Sequence, residues 1–269
     1  MNTPLVSIIT PAFNNADTLE EAASSVFAQR YENWEWIVVN NGSTDHSHEV
    51  LQQWENHPRI KTLHASENLG ASGGRNAGLD LASGDFICFL DADDRLPEES
   101  LSARMNVMLE RPEVAFVDGA VRRIDVDGNE IETRRPDFNG SAFSELLSLS
   151  GRCFIGITWL IRKSPGEAYR FHTGVSHGED LLFFLSIAHL GLYTHVEESI
   201  YDYRFREQSA MRDLLGLEKG YTAIEKEIKT WPNVSIEQAK QFHASWRTIM
   251  IKSYLKAGKL SDALRLKLL

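Results

Sequence analysis

The segment that most strongly indicates the fold joins an apolar run to three carboxylates and reads Phe86-Ile87-Cys88-Phe89-Leu90-Asp91-Ala92-Asp93-Asp94. A continuous apolar run is typical of a strand buried on both faces of a parallel sheet. Ligands of open α/β sheets bind beyond the carboxyl ends of such strands, so these aspartates are expected at a binding site. Two unit charges ~4 Å apart repel by roughly 4 kcal/mol at an effective dielectric near 20, which favours a bound cation or protonation. Oxygen ligands suit Mg²⁺ or Mn²⁺, and the alternative is a capped turn with exposed acids.

The chain before this segment alternates between apolar runs and helical spacing. Strands are predicted at 5–9, 34–39, 60–63 and 86–90, and helices at 17–28, 45–54, 72–82 and 97–110. This alternation predicts an α/β fold with a mainly parallel central sheet flanked by helices. The runs that end at 10–14 and 40–43 are also followed by polar side chains. Parallel strands would bring both clusters to the edge that carries Asp91 to Asp94.

The rest of the chain is less regular. Strands are predicted at 114–118, 121–125, 130–133, 155–161 and 195–203, and helices at 141–149, 179–190 and from 213 onward, interrupted at 231–232. We expect one domain over residues 1–211, with halves at about 1–118 and 119–211, and a helical C-terminal appendage over 212–269.

Composition excludes several classes of protein. The 269 residues include 28 basic and 38 acidic side chains, and the net charge of −10 argues against a nucleic-acid partner. No apolar run reaches the roughly 18 residues of a membrane-spanning helix, and no signal peptide is apparent. Two cysteines make no disulfide framework, so a cytoplasmic protein is expected. Six basic residues against one acidic residue over 247–269 raise the possibility of peripheral contact with an anionic membrane, although a packed helical pair with a solvated basic face is the simpler interpretation.

Two further motifs carry candidate functional groups. The glycine-rich stretch 68–78 opens a helix but matches neither a dinucleotide fingerprint nor a phosphate loop, and its Arg75 is suited to bind a phosphate or a carboxylate. Glu179 and Asp180 begin a strongly apolar helix. Acids stabilise a helix N-terminus, and one of them would also serve as a general base.

With these motifs in view, the chain over about 5–211 resembles the family 2 glycosyltransferases, which are inverting enzymes with the GT-A nucleotide-diphospho-sugar transferase fold. The resemblance rests on five segments in the family's order and spacing, namely 6–14, 25–29, 68–94, 179–180 and 203–209. It implies transfer of a sugar from a nucleotide diphosphate donor to an acceptor hydroxyl. The usual context of such relatives is the assembly of surface polysaccharides or glycolipids, with a glycan or lipid-linked acceptor.

The resemblance also implies roles for individual residues. Asp93 would bind Mn²⁺ or Mg²⁺ with help from Asp91, and Asp180 would be the base with Glu179 beside it. The nucleotide sugar would contact a further set of residues, comprising Pro11, Phe13, Asn41, Arg75, Asp91, Ala92 and Asp93.

Two positions depart from the family pattern. Asn40 and Asn41 stand where aspartates are usual, and Arg206 stands where a histidine is frequent near the phosphates. An asparagine oxygen still accepts a hydrogen bond from uracil, so a UDP-sugar is the first choice of donor, with guanosine and thymidine donors open. Trp159 is a candidate for stacking on an acceptor sugar, or else a core aromatic. The alternative functions are a non-catalytic nucleotide-sugar-binding module and a sugar nucleotidyltransferase.

Overall fold

The computed structural model describes residues 3–206 and 213–268, which form a central eight-stranded sheet with helices on both faces. The strands are β1 (Val6–Ala12), β2 (Trp34–Asn41), β3 (Ile60–Ala65), β4 (Phe86–Phe89), β5 (Val114–Ile124), β6 (Glu130–Arg134), β7 (Leu160–Arg162) and β8 (Leu192–Arg204). The helices are α1 (Ala16–Phe27), α2 (Ser47–Gln52), α3 (Gly70–Leu81), α4 (Ser100–Glu110), α5 (Ala142–Ser148), α6 (Glu179–Ile187), α7 (Leu214–Ile228), α8 (Ile236–Lys256) and α9 (Leu260–Leu268), with a short 3-10 helix at Ala188–Leu190.

The N-terminal half of the sheet is a parallel block in the order β3-β2-β1-β4. Ile9 of β1 pairs with Ile37 of β2 and with Phe89 of β4, so the three strands are in close register. Their carboxyl ends therefore lie at one edge, as the sequence predicted. The polar residues that follow β1, β2 and β4 meet there.

The second half of the sheet is mixed. β7 runs antiparallel to both β4 and β5, and β6 is antiparallel to β5. β8 runs parallel to β5 along most of its length. An isolated bridge between Arg95 and Asp202 then brings the end of β8 beside the segment that follows β4.

Two predictions for the middle of the chain were wrong. Residues 114–118 and 121–125, predicted as separate strands, belong to the single strand β5, because the intervening residues stay paired with β8 through register shifts. The predicted strand at 155–161 is reduced to Leu160–Arg162. Gly156 has a φ of +152°, and the Trp159 indole donates a hydrogen bond to the Cys153 carbonyl, so the chain turns back instead of extending.

Each face of the sheet covers a separate hydrophobic core. One core includes Leu19 of α1, Leu51 of α2 and Leu101 of α4. The other joins the sheet to α5 and α6 and includes side chains from all three C-terminal helices, namely Ile224, Ile228, Phe242, Trp246, Met250, Tyr254, Ala263 and Leu266. The C-terminal helices are thus a packed layer of the domain core. The predicted boundary at 211–212 lies outside the described residues, and among the described helices none is long and apolar enough to cross a bilayer.

α7 packs closely against the segment that precedes α6. A Cβ on Gly220 would lie 2.1 Å from the His177 carbonyl oxygen, and one on Gly178 would lie 3.0 Å from the Ile224 side chain. Since only a glycine at 220 permits this approach, the position of α7 is tied to the start of α6.

Candidate active site

The acidic loop after β4 divides its three carboxylates between the interior and the open edge of the sheet. Asp94 is 2% exposed, and its Oδ1 accepts the Arg204 backbone N–H at 2.7 Å. The side chains of Asp91 and Asp93 remain about one-third exposed, at 33% and 32%. Two carboxylates therefore face the edge, while the third anchors the loop.

Side chains of β8 and α1 hold this loop in place through hydrogen bonds with its backbone. The Asp91 N–H donates to the Tyr201 hydroxyl at 3.0 Å, and Arg204 Nε donates to the Asp93 carbonyl at 3.0 Å. The Thr18 hydroxyl donates to the carbonyl of Ala92, whose own side chain is buried. No motif in the sequence identified Tyr201, Arg204 or Thr18 as supports of the loop.

The electrostatics of the loop favour a cation. Burial raises the pKa of Asp93, and the neighbouring charge of Asp91 raises it further. Burial, followed by the charges of Asp93 and Asp91, holds the pKa of Asp94 well above its usual range. Arg206 Nε lies 3.4 Å from Asp93 Oδ2 and partly offsets the repulsion. A divalent ion would offset it more completely.

The donor set fits a magnesium- or manganese-type ion only if other ligands complete it. Within residues 3–206 and 213–268, no three His, Cys, Asp or Glu side chains are grouped to hold a metal. Mg²⁺ commonly takes one or two protein carboxylates and completes its shell with water and substrate phosphates. Asp91 and Asp93 match that partial protein shell.

Arg75 connects the acidic loop to the start of α6. Its Nη2 lies 2.9 Å from Asp91 Oδ1 and its Nη1 lies 2.9 Å from Glu179 Oε1, with the side chain only 6% exposed. Burial opposes its charge, yet the carboxylates of Asp91 and Glu179 raise the pKa of Arg75. The guanidinium, which was expected to bind a phosphate or a carboxylate, thus pairs two carboxylates and is closed off from solvent.

Asp180 follows Glu179 in the first turn of α6, and Gly178 precedes them with a φ of +78°. Burial, and then the charge of Glu179, raises the pKa of Asp180 to about 7. Arg75 acts in the opposite direction and lowers it. A carboxylate whose pKa lies near neutral pH has the proton affinity required of a general base.

The residues predicted to contact a nucleobase lie at the same edge in different environments. Asn41 is 3% exposed, and its amide donates to the Gly70 carbonyl at 3.0 Å while its oxygen accepts the Leu69 N–H at 3.0 Å. Pro11 lies beside it, since a Cβ on Gly74 would contact both. Phe13, in contrast, is 41% exposed. The Asn41 oxygen, predicted to accept a hydrogen bond from uracil, accepts in this structure the Leu69 N–H of the turn before α3.

Trp159 does not reach the site. Its ring is fully buried and lies against Phe184 and Tyr193, with centroid separations of 4.2 and 4.9 Å. Of the two alternatives given for Trp159, the core aromatic is therefore the one observed, and stacking on an acceptor sugar is excluded in this structure. The indole N–H is satisfied by the Cys153 carbonyl.

Comparison with known proteins identifies the family of the chain. The model of "Glycosyl transferase family 2" matches residues 7–170. The chain belongs to glycosyl transferase family 2. That span includes β1 through β7, the acidic loop and Arg75, and it ends before α6.

Relatives of this family 2 chain come from several bacteria. An uncharacterized glycosyltransferase of Haemophilus influenzae is 32% identical over 208 residues, which cover 74% of this chain and 79% of that protein. The Escherichia coli protein WfgD, named as a UDP-Glc:alpha-D-GlcNAc-diphosphoundecaprenol beta-1,3-glucosyltransferase, is 30% identical over 80% of this chain and 87% of its own length. The Bacillus subtilis protein TuaG, a putative teichuronic acid biosynthesis glycosyltransferase, is 40% identical over 109 residues, and the match spans only 43% of its length.

Solved structures confirm the fold as GT-A. Staphylococcus aureus TarS 1–349, crystallised with UDP-GlcNAc, superposes with a TM-score of 0.68 at 17% identity over 97% of this chain and 90% of that one. The mannosyltransferase PcManGT of Pyrobaculum calidifontis, in complex with GDP-Man and Mn²⁺, superposes with a TM-score of 0.65 at 18% identity over 99% of this chain and 74% of that one.

Proposed function

We propose that this family 2 glycosyltransferase moves a sugar from a nucleoside diphosphate donor to an acceptor hydroxyl with inversion, and that Asp180 is its general base. The observation that carries the proposal is the arrangement around Arg75. One buried guanidinium pairs with Asp91, at the end of β4, and with Glu179, in the first turn of α6. Burial and the charge of Glu179 raise the pKa of the adjacent Asp180 to about 7. Donor activation and proton removal would thus take place on two sides of a single ion-pair network.

The reaction is written as a single displacement. The acceptor oxygen forms a bond to the anomeric carbon as the bond from that carbon to the diphosphate oxygen breaks. The acceptor proton passes to an Asp180 oxygen, and the nucleoside diphosphate leaves with the electron pair. Because one displacement occurs from the face opposite the leaving group, the configuration inverts and no covalent intermediate is required.

Asp91 and Asp93 are the groups we propose to hold Mn²⁺ or Mg²⁺ together with donor phosphate oxygens. A bound divalent cation supplies Lewis-acid stabilisation of the negative charge that develops on the diphosphate. Arg206, 3.4 Å from Asp93, carries the additional positive charge available to a phosphate at this edge. Arg75 acts as a positioning residue that fixes Asp91 and Glu179.

The donor we favour is a UDP-sugar, and the acceptor is a glycan or a lipid-linked sugar of surface polysaccharide or glycolipid assembly on the cytoplasmic side. The names of WfgD and of the TarS complexes contain UDP and so support a uridine donor, whereas the PcManGT complex contains GDP-Man, so a guanosine donor is the alternative. Pro11 and the exposed Phe13 offer apolar surface to a base at the end of β1.

Titration calorimetry with UDP, GDP and dTDP, each with and without Mn²⁺, tests the donor and the metal together. We expect UDP to bind at least about tenfold more tightly with Mn²⁺ than without it, since two carboxylates and a diphosphate repel each other without a cation. Equal UDP binding with and without Mn²⁺ would contradict the proposed metal role of Asp91 and Asp93. Tighter binding of GDP than of UDP would indicate a GDP-sugar as the donor. Binding of a nucleotide sugar without transfer to any acceptor would favour the binding module.

Changing Arg75 to methionine tests the positioning role. The charge of Arg75 lowers the pKa of Asp180, so its removal should move the acidic limb of the pH–rate profile to higher pH. Breaking a buried ion pair leaves two carboxylates uncompensated, and we expect a loss of roughly 3 kcal/mol in the free energy of unfolding. Urea unfolding and a pH–rate profile measure the two effects. Arg30→Met, at an exposed surface ion pair with Glu99, is the matched control and should change neither.

A further inference from the structure

The C-terminal helices present an apolar stripe that the domain core leaves uncovered. In α9, Ala263 and Leu266 face inward and are buried, whereas Leu260, Leu264 and Leu268 are 62%, 59% and 86% exposed. These three leucines are spaced four residues apart and so line one outer face of the helix. Leu255, three residues before the Gly258 turn that leads into α9, is also about half exposed.

Four exposed lysines lie on the same two helices or between them, and none has an acidic partner in the described part of the chain. The exposed lysines are Lys252 and Lys256 on α8, Lys259 between the helices, and Lys267 on α9. The two arginines of the same region are used differently. Arg265 pairs with Glu218 of α7 at 2.7 Å, and Arg247 donates to the Leu266 carbonyl, so both arginines fasten α9 to the domain. The free positive charge therefore belongs to the lysines, beside the leucines.

We propose that the face formed by Leu255, Leu260, Leu264 and Leu268 with Lys252, Lys256, Lys259 and Lys267, the α9 face, docks on the surface of an anionic phospholipid bilayer. Leucines between lysines are the chemistry of a helix that lies at a membrane interface, with side chains in the acyl boundary and ammonium groups at the phosphates. The remainder of the chain carries a strong net negative charge, so an anionic membrane repels it and attracts only this region. The molecule would therefore bind with the α9 face toward the bilayer.

Charge argues against a second copy of the chain as the occupant. A two-fold symmetric contact would place the same patch against itself, and the four lysines would then face four lysines. A bilayer that contains anionic lipid complements both the apolar stripe and its charged border.

Vesicle co-sedimentation of the full chain tests the proposal without any assay of transfer. The probes are vesicles of phosphatidylcholine alone and of phosphatidylcholine with about one-third phosphatidylglycerol, each at low and high salt. We expect binding to the anionic vesicles only, and we expect high salt to weaken it. Each lysine near an anionic surface contributes roughly fivefold in affinity, so Lys256→Glu with Lys259→Glu should weaken binding by more than about tenfold.

Leu264→Asp should weaken binding to a similar degree, because it places a carboxylate in the stripe without changing the lysines. Ile236→Asp is the matched control, since Ile236 is 79% exposed at the opposite end of α8, where an acid at the helix N-terminus is tolerated. Equal binding of Leu264→Asp and the parent chain would overturn the proposal, as would equal binding to both kinds of vesicle. A parent dimer that Leu264→Asp dissociates in sedimentation velocity would assign the face to a second copy and would equally overturn it.

Discussion

Replacing Asp180 by asparagine is expected to reduce sugar transfer by about 1,000-fold, within the range that a general base contributes. Asparagine keeps the shape of the side chain and its hydrogen bond to the Leu181 N–H but does not accept a proton at neutral pH. In the parent chain, kcat/KM should rise as the pH increases through about 7, because the base works only when ionised. The asparagine variant should lose this limb of the profile.

Binding of UDP with Mn²⁺ should be the same in Asp180→Asn and in the parent chain, because Asp180 acts on the acceptor. Glu179→Gln is the variant that separates the two acids. The charge of Glu179 raises the pKa of Asp180, so the Glu179→Gln profile should shift to lower pH while transfer persists. If Glu179→Gln abolishes transfer and Asp180→Asn does not, Glu179 is the base.

Stability provides an independent check on Asp180. Because its pKa is raised from 3.8 to about 7, the folded state binds this proton more tightly than the unfolded state does. The Asp180 contribution to stability is therefore present at low pH and is lost as the pH rises through about 7. In urea unfolding, Asp180→Asn should be more stable than the parent chain at pH 8, and the difference should narrow as the pH falls below 7.

Replacing Asp93 by asparagine is expected to reduce transfer by about 1,000-fold and to remove the effect of Mn²⁺ on UDP binding. The carboxylate faces the open edge of the sheet, and Lewis-acid stabilisation of a leaving diphosphate contributes several kcal/mol. Calorimetry with UDP, repeated with and without Mn²⁺, separates the loss of metal from a loss of fold. A manganese effect of unchanged size in this variant would place the metal elsewhere.

Asp94→Asn is the matched control from the same loop. Asp94 is buried, and its Oδ1 accepts the Arg204 N–H, so the substitution is expected to alter stability and to leave the manganese effect in place. Two neighbouring carboxylates would then be distinguished by the direction each one faces.

The sequence was sufficient to predict the sheet edge because each strand there is marked by a short apolar run of its own residues. The residues of β1, β2 and β4 are buried almost throughout, and such runs are diagnostic of strands covered on both faces. Once the strands are parallel, Asn41 and Asp91 must lie at the same edge, whatever the loops between them do. The fold and the place of the acidic loop thus follow from short segments alone.

The partners of the site residues did not follow, because each depends on a contact between distant parts of the chain. Arg75 meets Glu179 across 104 positions, and Asn41 meets the 68–70 turn across nearly 30. Arginine and asparagine are equally suited to a ligand and to a neighbouring protein group, so composition does not distinguish the two outcomes. The two alternatives for Trp159 stayed open for the same reason, since its burial is decided by α6 and β8.

The three hydrogen bonds that reach the acidic loop from Tyr201 and Arg204 have a consequence for folding order. They span about 110 positions, and chain closure over such separations is slow relative to local helix formation. A nascent polypeptide that has left the ribosome only as far as the acidic loop already contains the aspartates, but the residues of β8 that hold them in place have not been synthesised. Cation affinity should consequently emerge late in biosynthesis, after the thirteen-residue strand β8 has joined the sheet.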